Sequence, residues 1–270
     1  NIGATSSSRV IPWRWRKMTD INIAFVSPTY GPHWAPVVAS WLRLMGYTSR
    51  QFETRHVGKL GGVGITDRMY TMSAENKLIE ESLSNSSFTH IFMTEMDMIL
   101  PHDAITKLVA LDKDIASGLY FLRSDIPEKR GQPCLYKKAP ALDKDRAALD
   151  GSEYLVSPVS LFPKTEPFRL DCSGLGCILF KRKVFEQIPP PWFDLRSGDA
   201  AHIGYGSDIY FAKKVRDAGL EGWVDPTVEC DQIDYYVTGK KDYEKQVKEN
   251  PKFAAVGYII GMGGDQKKIA

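Results

Sequence analysis

The chain has 270 residues, 43% of them hydrophobic and 25% charged, with a formal net charge of +2. That is enough for one large domain or two small ones around a substantial core, and so balanced a charge gives no general reason to expect nucleic acid or an anionic membrane as partner. The four cysteines are too few for a disulfide framework and lack C-x2-C spacing; a reducing, cytoplasmic setting is expected, and no apolar run reaches the ~18 residues of a membrane span.

Residues 1–20 read as a lead-in, with Ser6-Ser7-Ser8 followed by the basic-aromatic patch Trp13-Arg14-Trp15-Arg16-Lys17. The first strand, Ile21 to Val26, ends at Ser27-Pro28-Thr29-Tyr30-Gly31-Pro32, where turn residues directly after a buried strand predict a ligand-cradling loop. Helical spacing at Val37, Val38, Trp41, Leu42 and Met45 closes at Gly46. Residues 58–64, Gly-Lys-Leu-Gly-Gly-Val-Gly, read as a flexible loop matching neither a P-loop nor G-x-G-x-x-G. A helix over 72–85 carries Leu78, Ile79 and Leu83 on one face. The apolar run Ile91-Phe92-Met93 then stops at Glu95 and Asp97, ahead of a helix over about 102–112. A strand from Ile115 to Leu122 leads into residues 124–170, a Pro- and Lys-rich irregular region expected to be a lid or substrate-binding excursion.

The second half opens with Asp171-Cys172-Ser173-Gly174-Leu175-Gly176, small residues leading into the strand Cys177 to Phe180. A helix from Lys183 to Gln187 meets the stiff stop Pro189-Pro190-Pro191-Trp192-Phe193. Gly204-Tyr205-Gly206-Ser207-Asp208 introduces Ile209, Ala212, Val215 and Ala218 at helical spacing, capped by Gly219. A short strand, Trp223 to Val228, precedes Cys230-Asp231-Gln232-Ile233-Asp234, and 241–270 form a tail. Strands alternating with helices through short connections predict a three-layer α/β fold with a mostly parallel central sheet.

Two places carry chemistry. An unpaired buried charge is strongly disfavoured, yet the strand at 91–93 ends in acid. At the carboxyl edge of an open α/β sheet that end faces the crevice where ligands bind. Two carboxylates one residue apart suit a divalent cation that serves a phosphate-bearing ligand; a solvated turn whose acids favour a helix dipole is the plainer reading. Ser207 and Asp208 read first as an N-cap with a first-turn acid and, compatibly with that, Asp208 as a general base at the mouth of a glycine-flanked loop. Residues 230–234 offer oxygen ligands or simply a polar turn.

The order of these segments, over about Ile21 to Ile233, resembles the GT-A glycosyltransferases, nucleotide-sugar-dependent enzymes related to the large family 2. Phe25 to Tyr30 is similar to the first strand and nucleotide-gripping loop, and Glu75-Asn76 to a frequent Arg-Asn pair. Thr94-Glu95-Met96-Asp97 with Ile99-Leu100-Pro101 resembles the D-x-D motif and its trailing helix. Gly118 to Phe121 and Gly174 to Leu179 are similar to the central strands beside the donor and acceptor pockets. Gly206 to Phe211, then Ala218-Gly219, resembles the acceptor-side helix. The resemblance implies a single Rossmann-like GT-A domain over 21–240, its nucleotide-binding half about 21–123 and its acceptor-side half about 171–240, with 124–170 as lid. It implies Pro28, Thr29, Tyr30 and Asn76 as donor-binding residues, joined by Glu95, Met96, Asp97, Gly118 and Gly176. Asp97 and Glu95, with Gln232, would hold Mn2+ or Mg2+, and Asp208 would deprotonate the acceptor hydroxyl in an inverting transfer from a UDP-linked donor.

The chain departs from the family pattern at Glu95, Ser207, Gln232 and Glu75, where relatives commonly carry Asp, Glu, His and Arg. These departures leave a second expectation, a catalytically weak nucleotide-sugar-binding module of the same fold. The acceptor is expected to be a glycan or, given the basic-aromatic patch, a hydroxylated base in DNA. A nucleotidyltransferase is disfavoured because no Gly-rich, Lys-bearing phosphate loop follows the first strand.

Overall fold

The computed structural model describes residues 20–123, 130–140, 154–195, 206–233, 237–249, 258–260 and 266–268. The patch at 13–17, Tyr205, Asp234 and parts of the expected lid and tail lie outside the described residues. In chain order the first half comprises β1 (Ile21–Ser27), α1 (Ala35–Arg55), β2 (Gly58–Ile65), α2 (Thr71–Ser84), β3 (His90–Met93), β4 (Met98–Ile99), α3 (Ala104–Leu111) and β5 (Ile115–Leu119). Then come β6 (Leu135–Pro140), β7 (Tyr154–Leu161), β8 (Phe168–Leu170), β9 (Cys172–Ser173), β10 (Ile178–Lys181), α4 (Arg182–Gln187) and α5 (Ser207–Asp217). The chain continues through β11 (Gly222–Glu229), β12 (Asp231–Ile233), β13 (Val237–Thr238), α6 (Lys240–Glu249), β14 (Tyr258–Ile260) and β15 (Gln266–Lys268).

Every residue of β1 is buried, and its side chains alternate between two cores. Ile21, Ile23 and Phe25 pack with Trp41, Leu44 and Phe52 of α1 and with Leu108 of α3. Ala24 and Val26 pack with Leu78 and Ile79 of α2, Val184 of α4 and Phe211 of α5. Successive side chains of a strand point to opposite faces, so a strand buried on both sides requires helices above and below it. The result is the three-layer α/β architecture read from the sequence.

The central sheet has seven strands in the order β2-β1-β3-β10-β5-β11-β8. Strands β2, β1 and β3 are mutually parallel, as are β5 and β11. Strand β10 runs antiparallel to both β3 and β5, which sets those two parallel to each other, and edge strand β8 opposes β11. The sheet is thus mostly parallel, with one reversed strand at its centre.

Three local expectations are corrected. Residues 58–64 are not a loop but part of β2, paired in parallel with β1 along its length. Glycine is there for space, since a Cβ on Gly62 would lie 2.8 Å from the Phe88 ring and one on Gly64 3.1 Å from Leu78. Helix α1 does not close at Gly46 but continues to Arg55, its buried face carried onward by Thr48 and Phe52. Val38 and Leu42, expected inside, are 39% and 65% exposed. Residues 124–170 contain β6, β7 and β8, of which β6 and β7 belong to a five-stranded sheet, β15-β14-β7-β6-β9. In the expected tail, α6 brings Tyr243 to 5.4 Å from Phe121 and 5.5 Å from Phe162, ring to ring. Among the described residues no helix is long and apolar enough to cross a membrane.

Candidate active site

The acid-bearing turn is built by backbone and strand pairing. After β3, the Thr94 N–H donates to the Val26 carbonyl at 3.0 Å, and the Met98 N–H closes the turn onto the Glu95 carbonyl at 3.3 Å. The Thr94 hydroxyl donates to the Gly176 carbonyl at 2.8 Å, anchoring the turn from below. Strand β12 pairs with β4, placing Gln232 opposite Met98, and the Ile233 N–H donates to the Asp97 carbonyl at 2.9 Å. Asp97 is thereby buried. Its Oδ2 accepts from Gln232 Nε2 at 3.1 Å and from Arg123 Nη1 at 2.8 Å, while Gln232 Oε1 accepts from the Arg123 backbone N–H at 3.3 Å. Only the amide nitrogen can donate to a carboxylate and only the oxygen can accept from an N–H, which fixes the amide's orientation.

A second acidic group, on α5, lies within electrostatic reach of Glu95. Here the expected cap is corrected: Gly206 is the N-cap residue, and no side chain caps the helix. The Ser207 hydroxyl instead donates to Glu75 Oε1 of α2 at 3.1 Å. Asp208, in the first turn, accepts its neighbour's N–H from Ile209 through Oδ1 at 2.8 Å. Burial raises its pKa, opposed by backbone N–H bonds. Glu75 is 1% exposed, and its Oε2 has no hydrogen-bond partner among the described residues. Burial pushes its pKa up to about 8; the Ser207 hydrogen bond opposes the rise, and the charges of Glu95 and Asp208 add to it. Glu95 is likewise pushed up to about 8, by burial first and then by Asp97 and Asp208, with Arg123 opposing. Four carboxyl groups, from two helices and one turn, therefore share one field. Behind Asp208, a cavity of about 30 Å³ lined by Ser117, Cys172, Ser173 and Trp223 has room for water and not for a sugar.

The remaining expected residues divide. Pro28, Thr29 and Tyr30 follow β1 directly; the Thr29 N–H is held by Thr66 Oγ1 at 2.9 Å, and Tyr30 is 66% exposed. Met96 lies beside this loop, its methyl 3.9 Å from where a Cβ on Gly31 would stand. Asn76 points elsewhere. Its Nδ2 donates to the Met72 and Phe193 carbonyls at 2.8 and 2.7 Å, and its Oδ1 accepts from Trp192 and Phe193 at 2.8 and 3.2 Å. Its amide is thus spent on clamping the segment after Pro191. Gly118 and Gly176 act by absence of bulk: a Cβ on Gly118 would meet Val228 at 2.8 Å, and one on Gly176 would meet Met98 and Tyr120, each at 2.9 Å. Arg123 escaped the sequence reading, although a basic residue just past an apolar strand was a visible signal. Glu75 was read as a missing positive charge, whereas here it is a buried acid braced on α5.

The donor set suits a hard divalent cation in part. Among the described residues no group of three or more His, Cys, Asp or Glu is arranged to hold a metal ion. Glu95 and Asp97 form a pair, and Mg2+ or Mn2+ typically takes one or two protein carboxylates, completing its shell with phosphates and water. Burial and then the charges of Asp97 and Asp208 disfavour the ionised form of Glu95, and a bound cation favours it. Gln232, with its oxygen committed to Arg123 and its nitrogen to Asp97, positions Asp97.

No family model and no curated protein matches the chain. Several solved structures align with it. A197 from STIV aligns with a TM-score of 0.51 at 14% identity, covering 82% of this chain and 94% of that one. GalNAc-T7, solved with UDP, GalNAc and Mn2+, aligns at a TM-score of 0.48 and 12% identity over 84% of this chain and 48% of that one. The catalytic domain of Drosophila β1,4-galactosyltransferase 7, complexed with xylobiose, gives a TM-score of 0.39 at 14% identity over 82% and 68%. At such identities only the first alignment carries weight, and what it shows is a shared α/β fold.

Proposed function

We propose that this protein is a glycosyltransferase that moves a sugar from a nucleotide-sugar donor, UDP-linked, to a hydroxyl of a glycan acceptor. One observation carries the reading: Asp97, just past the carboxyl end of β3, and Asp208, in the first turn of α5, both lie within electrostatic reach of Glu95. In open α/β sheets ligands bind outside the carboxyl ends of the strands. Glu95 and Asp97 would hold Mn2+ or Mg2+, which when bound neutralises charge on the departing diphosphate.

The chain's own residues supply the rest. Gln232 and the β4–β12 pairing fix Asp97, so its carboxylate needs no reorganisation as the donor binds. Tyr30, exposed at the loop after β1, offers a ring to the nucleotide base. Asp208 takes the acceptor proton at Oδ2, since Oδ1 is committed to Ile209, and the raised pKa that burial gives it strengthens it as a base. The acceptor oxygen then bonds to the anomeric carbon as the carbon–phosphate-oxygen bond breaks, and the nucleoside diphosphate leaves with the electron pair. Configuration at the sugar inverts.

Thermal stability against UDP-, GDP- and dTDP-sugars, each with and without Mn2+, tests the proposal. Ligands that bind the folded state raise its stability by mass action, so one nucleotide should raise the melting temperature only with metal, and Asp97→Ala should abolish the shift. Silence across the panel would sink the reading. A catalytically weak donor-binding module is the second reading, favoured by the Gln232 amide being spent on Asp97 and Arg123. Donor binding without transfer or donor hydrolysis would select it.

A further inference from the structure

Arg123 makes an ion pair with Asp97, the carboxylate read above as a metal ligand. Its Nη1 is 2.8 Å from Asp97 Oδ2, and the two side chains differ sharply in access, 42% exposed for Arg123 against 8% for Asp97. The guanidinium thus rests on a buried carboxylate while a large part of the side chain stays open to solvent. Its backbone is tied independently, through the N–H bond to Gln232 Oε1 at 3.3 Å, so the side chain can move without displacing the main chain. Gln232 Nε2 donates to the same Asp97 oxygen at 3.1 Å and keeps the carboxylate oriented if the arginine leaves.

A guanidinium on Asp97 Oδ2 and a divalent cation on the same carboxylate repel each other, so binding of the metal weakens the ion pair. An arginine released from a carboxylate beside a diphosphate has a planar, multi-donor fork suited to phosphate oxygens. We propose that Arg123 is a donor-binding residue that exchanges partners: it holds Asp97 while no metal is bound, and turns to the donor diphosphate when a divalent cation takes the carboxylate. The inference rests on the glycosyltransferase reading above and adds a residue to it.

The exchange has a signature that simple support of the site does not. Removing Arg123 frees Asp97 for metal and deprives the diphosphate of a partner, so the two affinities move in opposite directions. Isothermal titration calorimetry on the full chain would measure Mn2+ binding alone, then UDP binding at saturating Mn2+, for wild type, Arg123→Met and Arg123→Lys. Arg123→Met should bind Mn2+ on the order of tenfold tighter and UDP on the order of tenfold weaker, with Arg123→Lys recovering part of the UDP affinity. Circular dichroism melts establish that each variant is folded, and the half-exposed Arg123→Lys remains a test if Arg123→Met does not fold. Mn2+ and UDP affinities that fall together would mean that Arg123 only props Asp97, and an unchanged UDP affinity would equally overturn the proposal. A wild type that binds neither Mn2+ nor UDP would instead remove the glycosyltransferase reading, and this inference with it.

Discussion

Glu75 shows what a single misplaced-looking residue can decide. A carboxyl group with a pKa raised from 4.5 to about 8 stays protonated in the native state at pH values where the unfolded chain has lost the proton. The native state therefore binds more protons between those limits, and stability falls as pH rises from about 4.5 through about 8. Glu75→Gln keeps an acceptor for Ser207 and removes the titration. It should match wild type near pH 4 and exceed it at pH 8.5 by on the order of 3–5 kcal/mol, at ~1.4 kcal/mol for each tenfold change in proton affinity; urea unfolding at the two pH values measures this. Asp208 makes the complementary case. Asp208→Asn keeps shape and the Ile209 hydrogen bond but cannot take a proton, so transfer should drop by about 10²–10⁴, while the donor-induced rise in melting temperature persists. A matching loss of donor binding would show that Asp208 binds rather than catalyses.

At the scale of elements, the residues legible in the sequence were those whose neighbours are close in the chain. The alternation of Ile21, Ile23 and Phe25, and the stop of α5 at Gly219 in the left-handed region (φ 71), follow from period and turn chemistry alone. Strand β2 was not legible, because its glycines answer to Phe88 and Leu78, well beyond the reach of any local pattern. The same holds for Ser207, whose partner Glu75 is 132 residues distant, and for Arg123, whose backbone bonds Gln232 across 109. The acids of the turn were legible as acids; their partners were not. Gly46 gives a test of the element reading. It lies inside α1, and a Cβ there would meet no atom within 4 Å, so Gly46→Ala should stabilise the protein by about 0.5–1 kcal/mol, read by thermal unfolding. Asn76→Ala should do the reverse, costing about 2–4 kcal/mol, because it strands backbone groups at Trp192 and Phe193.

For the molecule as a whole, the order β3-β10-β5 binds the two halves into one sheet. The first half of the chain, about 21–123, supplies β1, β2, β3 and β5, but its sheet has a gap until Ile178–Lys181 fills it. A fragment of residues 20–123 should therefore lack a cooperative melting transition by circular dichroism, and a sharp transition would refute this view of the sheet. The same gap has a meaning during synthesis. Between the end of β5 and the start of β10 the ribosome must add about 60 residues, roughly 3–12 s of translation at ~5–20 residues per second. Through that interval the emerging chain carries two buried-type strands, β3 and β5, with unpaired edges facing each other and no strand yet made to lie between them. Exposed edges of that kind recruit other chains, so a nascent polypeptide of this design stays safest when a chaperone shields it until its central strand is born.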